Sequence, residues 1–277
     1  MPLPPLALFL DPRPAAEAER APISESVNIP LAELGNRMHE LPSRHSRVVV
    51  AGPEPWRSEA WAFLVASGRD AVLAETWIFS EQSAIQNQKF EIRNPQAKIG
   101  RLWQPNEFLI EVSERLTLGR ALDLACGTGR DSVELASTGW QVVAVDHLQD
   151  ALDRGRDLAR RYLSPEEAAR IEWIRADLDV DPKCSVLGAR RFGLASMFWY
   201  LNRDLIADSR DLLAEEGSLV IETFTTVHRE RFGKPRREHF ALRPGELREL
   251  VQPLEIVAYE EGWHGDRHSA RVWARRS

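Results

Sequence analysis

Cysteine is scarce in this chain of 277 residues: Cys126 and Cys184 are the only two. Two cysteines cannot build a disulfide framework, so a reducing compartment is expected. Neither belongs to a Cys/His group with ligand spacing, and no metal is expected. Long apolar runs are also missing. Leu6–Leu10 is too short to span a bilayer, has no basic segment before it, and runs straight into Asp11-Pro12-Arg13-Pro14. Neither a signal peptide nor a membrane partner is expected, and the chain reads as cytoplasmic. An excess of positive charge is absent too. The formal net charge is −6, which argues against a general nucleic-acid binder, because that role needs a broad basic surface. No internal repeat is visible.

What is present is a large apolar fraction, 43%, in a chain long enough for one large domain or two modest ones. Its first part alternates strand-like and helix-like stretches. Leu6–Leu10 and the β-branched Arg47–Ala51 read as buried strands, and Ala71–Ala74 as a third. Leu31–Leu41 has helical spacing and stops at Pro42; Trp56–Ser67 has helical spacing and is followed by Gly68. The order β-α-β-α-β favours a parallel sheet with helices on its faces. Residues 80–105 are polar and rich in Gln and Asn, and read as a linker between residues 1–79 and 106–277.

The second part alternates more clearly. Strands are expected at Ala121–Ala125, Gln141–Asp146, Ile171–Arg175, Phe192–Met197 and Ser218–Thr223. Helices are expected at Asn106–Leu116, Asp131–Ser137, Asp150–Tyr162 and Leu205–Ala214, the last ending near Gly217. Leu254–Tyr259 and Ala270–Ala274 read as a closing, antiparallel pair of strands.

One segment carries chemistry. Ala121-Leu122-Asp123-Leu124-Ala125-Cys126-Gly127-Thr128-Gly129-Arg130 takes an apolar strand into a Gly-x-Gly turn and then a helix. Glycines allow a tight turn and a close backbone approach to a ligand. Asp123 lies near the strand end, where a buried carboxylate is costly without a partner. The next strand ends at Asp146, an acid placed to accept hydrogen bonds from a ribose. Nicotinamide-binding turns usually carry a third glycine three positions on; here that position is Ser132. The acid before the turn suits a cationic amino-acid cofactor better than a pyrophosphate.

The segment DLACGTGRDSVELASTGWQVVAVD resembles the first two motifs of class I S-adenosylmethionine-dependent methyltransferases. The resemblance covers roughly Gly119–Ser277 and implies a Rossmann-like α/β fold with S-adenosylmethionine as cofactor. It implies that Asp123, Ala125, Cys126 and the Gly127-Thr128-Gly129 turn hold the methionine part. Asp146 would bind the ribose, His147 and Leu148 would lie beside the adenine, and Asp177 and Leu178 would contact its amine. Met197 and Phe198 would face the sulfonium. LACGTGRDSVELASTGW and HFALRPGELREL are similar, more narrowly, to the tellurite-resistance type of these enzymes.

The opening FLDPRPAAEAERAPISESVNIPLAEL resembles a smaller α/β domain, the rhodanese-like domain, with Asp11 and Arg13 in its Asp-x-Arg turn. VVVAGPEPWRSEAWAFLVASG resembles its strand, active loop and helix, yet Gly52 stands where the nucleophilic cysteine belongs. Sulfur transfer needs a thiolate, so no such activity is expected of this section.

Methyl transfer is an in-line displacement that rewards alignment more than acid–base help. No dedicated base stands out. Arg203, His239 and His264 are the weak catalytic candidates, with His228 and His268 as further histidines near the mouth. The stretch His228–Arg243 is basic, holding Arg229, Arg231, Lys234, Arg236, Arg237 and Arg243. It reads either as a solvated loop or as a lid for an oxyanion. The leading expectation is methylation of a small-molecule acceptor, a metalloid oxyanion among the candidates. A non-catalytic S-adenosylmethionine-binding regulator or scaffold is the alternative, and a nicotinamide oxidoreductase is disfavoured by Ser132.

Overall fold

The computed structural model describes residues 6–44, 46–77, 100–181, 183–188 and 190–277. It divides into two compact units, one running through Gln104 and one from Pro105 to Ser277. Residues 80–99 of the expected linker lie outside the described residues.

The N-terminal unit holds β1 (Phe9–Asp11), α1 (Ala15–Arg20), β2 (Ser26–Asn28), α2 (Leu31–Leu34), β3 (Val48–Val50), α3 (Trp56–Ala66) and β4 (Ala71–Leu73). Its four strands are all parallel, in the order β2-β1-β3-β4. Leu10, Val27, Val48 and Val50 bury the sheet against Leu34, Ala60 and Leu64, and Leu102 joins that core. The strand β2 was not expected, since Ser-Val-Asn has a single apolar residue to mark it. The expected helix Leu31–Leu41 breaks after one turn into a short 3-10 turn, Met38–Glu40.

The C-terminal unit begins with α4 (Glu107–Ser113), capped by Asn106, whose side chain accepts from the N–H groups of Phe108 and Leu109. Then come β5 (Arg120–Leu124), α5 (Arg130–Thr138), β6 (Gln141–Asp146), α6 (Gln149–Tyr162), α7 (Pro165–Ala168), β7 (Ile171–Arg175) and β8 (Phe192–Phe198). After these lie α8 (Arg203–Asp208), β9 (Leu213–Phe224), α9 (Thr226–Phe232), α10 (Glu246–Leu250), β10 (Glu255–His264) and β11 (Arg267–Arg275). The sheet order is β10-β11-β9-β8-β5-β6-β7. Only β11 runs against its neighbours. Strands such as Gln141-Val-Val-Ala-Val-Asp146 are apolar on both faces because helices cover both, as a parallel sheet requires.

Two details differ from the sequence pattern. The helix expected to reach Ala214 ends at Asp208, a 3-10 turn follows, and β9 already starts at Leu213. The reason lies at Gly217. A Cβ there would come within 2.7 Å of the Phe192 carbonyl and 2.8 Å of the Ala214 carbonyl. Glycine thus lets the strand bend tightly beside β8, where the register shifts, and continue. The basic stretch His228–Arg243, expected to be a solvated loop or a lid, begins within the helix α9, which no sequence pattern had marked.

The topology fixes where a ligand can lie. Chain order runs outward from β5 to β6 on one side and crosses to β8 on the other, so β5 and β8 flank the switch point. Leu124 pairs with both Val145 and Met197, which brings the carboxyl ends of β5, β6 and β8 to one level. Among the described residues no helix is long and apolar enough to cross a membrane.

Candidate functional site

At that level the chain leaves β5 through a run of left-handed backbone. Ala125 has φ 55°, Gly127 φ 55° and Gly129 φ 69°. Ala125 tolerates this region poorly, and such strain persists where the surroundings hold it. They do so here. The Gly127 N–H donates to Asp146 Oδ2 over 2.9 Å, and the Cys126 N–H donates to the Val145 carbonyl over 3.0 Å. Asp146 Oδ1 accepts from the Leu148 N–H at 2.9 Å. One carboxylate at the end of β6 therefore pins both the turn after β5 and the entry to α6.

The glycines have different work. A Cβ on Gly127 would meet nothing within 4 Å, so its face of the turn is open. Gly129 is closed: a Cβ there would run into the indole of Trp173 on β7. Gly155 on α6 faces the same indole, with a Cβ placed only 2.5 Å from it. Trp173 thus needs both glycines in order to seat α5 and α6 against the sheet.

Beneath the turn lies an acid cluster. Asp123 is buried, and burial, with Asp131 beside it, pushes its carboxyl up to about 8, although Ser132 hydrogen-bonding pulls the other way. The Ser132 Oγ donates to Asp123 Oδ2 over 2.5 Å. Burial also raises Asp131 to about 6, against the Asn106 N–H that donates to its Oδ1 over 2.7 Å. Asn106 Nδ2 donates to Glu222 Oε2 at 2.9 Å, and Ser269 Oγ donates to Glu222 Oε1 at 2.7 Å. Asn106, Glu222 and Ser269 were missed by sequence reasoning. An Asn before a helix signals a cap, but nothing local marks a partner 116 positions away. Cys126 carries a thiol that burial raises well above its ordinary value, so it is no thiolate nucleophile.

The remaining expected residues divide into two groups. His147 and Leu148 are exposed beside Asp146, with His147 Nδ1 3.6 Å from Asp146 Oδ1. Asp177 is exposed, and its Oδ1 accepts from the Asp179 N–H at 3.0 Å. Thr128 is half-buried in the turn. Leu178 and Met197 point instead into the main core, packed with Leu122, Leu124 and Val145. Phe198 is buried next to Glu222 in the β8–β9 register. The residue that does protrude past β8 is Trp199, at φ 59°.

The three catalytic candidates do not converge. Arg203 is a clasp: its Nε and Nη2 donate to the two oxygens of Glu246, at 2.7 and 3.1 Å. Its Nη1 donates to the His239 carbonyl at 2.6 Å, and its Nη2 also donates to the Ala241 carbonyl at 3.2 Å. Burial opposes the charge on Glu246, but Arg203 and Arg243 outweigh it and hold the carboxyl near 2. His239 is exposed, with its ring against Phe240. His264 ends β10, and its Nε2 is buried without a hydrogen-bond partner among the described residues. The basic stretch is partly neutralised as well. Arg203 and Arg243 share Glu246, and Arg229 faces Glu238 at 3.9 Å.

The C-terminal unit is thus a Rossmann-like sheet with an acid-pinned glycine turn at its switch point. Residues 121–217 match the family described as a methyltransferase domain, a match that supports an enzyme. The chain is similar to the Schizosaccharomyces pombe protein UNK4.09, 22% identical over 312 aligned positions, covering 95% of this chain and 91% of that one. Among solved structures it is similar to TehB from Haemophilus influenzae. The TM-score is 0.51 at 18% identity, over 73% of this chain and 68% of that chain. That likeness is one of fold.

Proposed function

We propose that this enzyme transfers a methyl group to a small-molecule acceptor in the crevice outside the carboxyl ends of β5 and β8. The observation that carries the reading is the left-handed turn Ala125–Gly129, held by Asp146 and open at Gly127. The donor set fits the cofactor. Asp146 is fixed at a strand tip where a diol can reach it, and Leu148, 53% exposed, offers an apolar face to a base. Asp123 and Asp131 are raised acids, and among the described residues Asp123 has no ion pair, which suits a ligand bearing positive charge.

When bound, S-adenosylmethionine supplies an electrophilic methyl group on its sulfonium. Asp123, Ala125, Cys126, Gly127, Thr128 and Gly129 then hold its amino-acid end, Asp146 its ribose, and His147, Leu148 and Asp177 its base. Leu178 and Met197 back the site from the core, and Phe198 sets the position of Trp199. The protein aligns the acceptor, and no side chain is required as a base for an acceptor that is already nucleophilic. Incubation with radiolabelled cofactor and calorimetry with S-adenosylhomocysteine test the reading together. Asp146→Ala should abolish binding at micromolar cofactor; full retention would remove the assignment.

We also propose that residues 1–79 form a rhodanese-like domain without sulfurtransferase activity. In support, Arg13 Nε and Nη2 donate to the two oxygens of Asp11 at 2.9 and 2.7 Å, fully buried, and Asn28 donates to the carbonyls of Asp11 and Arg13. Gly52 follows β3 at φ 118° in the place of a nucleophile. Formation of thiocyanate or a persulfide by this protein would count against the proposal.

A further inference from the structure

Beyond the cofactor turn, the carboxyl edge of the sheet carries a continuous row of rings. Trp199 lies 4.8 Å from Phe224, and Phe224 stacks on His228 at 4.4 Å. His228 contacts Phe232 at 4.8 Å, Phe232 meets Trp263 edge-on at 6.2 Å, and Trp263 meets His268 edge-on at 5.2 Å. The rings come from the ends of β8, β9, β10 and β11 and from α9. Helical spacing explains one pair: His228 and Phe232, four residues apart, share one side of α9, and Phe224 is the last residue of β9 just before it. The main core includes none of the four carbon rings. Phe232 and Trp263 are 46% and 44% exposed, unusual for rings with so many neighbours.

Two guanidiniums lie on this row. Arg267 is 4.7 Å above Trp199, and Arg231 is 4.8 Å above Trp263 and 5.4 Å above Phe232. Among the described residues neither forms an ion pair. Their donors remain available at the rim of an aromatic wall. A small, strongly hydrated oxyanion gains little from such a wall, because rings offer no donors to replace its water. A flat ring with a carboxylate uses both parts: stacking along the row and a forked hydrogen bond at its end.

Resting on the methyltransferase reading, we infer that the acceptor is a planar aromatic acid, stacked along Trp199–Phe224–Trp263 with its carboxylate on Arg267 or Arg231. The wall adjoins the switch point, since the Trp199 N–H donates to the Glu222 carbonyl over 2.9 Å, directly after β8. The acceptor is thereby placed on the β8–β11 side and the cofactor on the β5–β7 side.

The test is calorimetry on the full chain. S-adenosylhomocysteine is titrated first; then 2-naphthoate, neutral 2-naphthalenemethanol and selenite are each titrated into the complex. The naphthoate should bind, the alcohol about tenfold more weakly, and selenite not measurably. Trp199→Ala should weaken naphthoate about tenfold while S-adenosylhomocysteine changes by less than about twofold. Arg267→Gln should weaken naphthoate and leave the alcohol unchanged. Trp263→Ala, at an exposed ring, serves if Trp199→Ala does not fold. Selenite binding with naphthoate silent overturns the inference, as does naphthoate binding that none of these substitutions alters. Failure of S-adenosylhomocysteine to bind counts against the cofactor reading alone, and naphthoate titrated into the free protein still decides the wall.

Discussion

Ser132 Oγ donates to Asp123 Oδ2 over 2.5 Å. The residue that replaces the third glycine of a nicotinamide turn is thus the partner that makes a buried acid tolerable. Ser132→Ala should weaken S-adenosylhomocysteine binding about five- to tenfold, the loss of one hydrogen bond to a carboxyl group. Ser132→Thr, which keeps the hydroxyl, should recover part of it. Calorimetry on the three proteins checks this.

Stability of the ligand-free protein should fall as pH rises from 3.8 to about 8 on account of Asp123. The sign follows from linkage: a carboxyl raised in the folded state keeps its proton while the unfolded chain has already lost its own, so rising pH favours unfolding across that window. Asp131, raised to about 6, adds to the slope over its lower part. A cationic ligand should draw off the proton, so binding near pH 7 should release up to about one proton. Titrations at pH 7 in buffers of different ionisation enthalpy measure that release, and an observed enthalpy that is the same in every buffer would contradict it.

Gly155→Ala should destabilise the C-terminal unit by about 2 kcal/mol, because the new methyl meets the Trp173 indole. Trp173→Leu should relieve much of this in the double variant, a coupling that chemical denaturation of the four proteins would reveal. Gly129→Ala should cost more, since φ 69° adds backbone strain to the same clash.

Glu246→Gln should loosen the segment that Arg203 holds. The carboxyl sits near 2 and is 4% exposed, while Arg203 is partly solvated, so a cost of about 2 kcal/mol is expected. For a carboxyl lowered in the folded state the contribution is full above its unfolded value of 4.5 and is lost as pH falls toward 2. Proteolysis within residues 233–245 should accelerate in the variant while cofactor affinity holds.

Local chemistry made much of this fold legible. The strands at Gln141–Asp146 and Ile171–Arg175 carry their bounds in β-branched and apolar runs flanked by Gly139 and a capping box at Ser164–Glu167. The turn at Gly127 was legible because glycines and acids have narrow physical meanings. Interactions at long separation were not. Arg203 looked like a free cation until Glu246, 43 residues on, arrived beside it. Met197 was expected to face the ligand on the strength of the family resemblance, yet it packs in the core, and the chain leaves the strand at Trp199 with φ 59°. Helix α9 was hidden by its charges, and in so short a helix only Val227 and Phe232 break the run of polar residues.

The antiparallel placement of β11 has one last effect. Because β11 opposes both β9 and β10, the hairpin at Gly265 and Asp266 turns at the edge where β8 and β9 release their chain ends. On the proposed reading, the two halves of the reaction fall on separate stretches of polypeptide. On that reading, changes in the hairpin should retune what is methylated, while the stretch from Asp123 to Asp146 proposed for the cofactor is left untouched. A lineage of such proteins could diversify its acceptors by tinkering at one late turn.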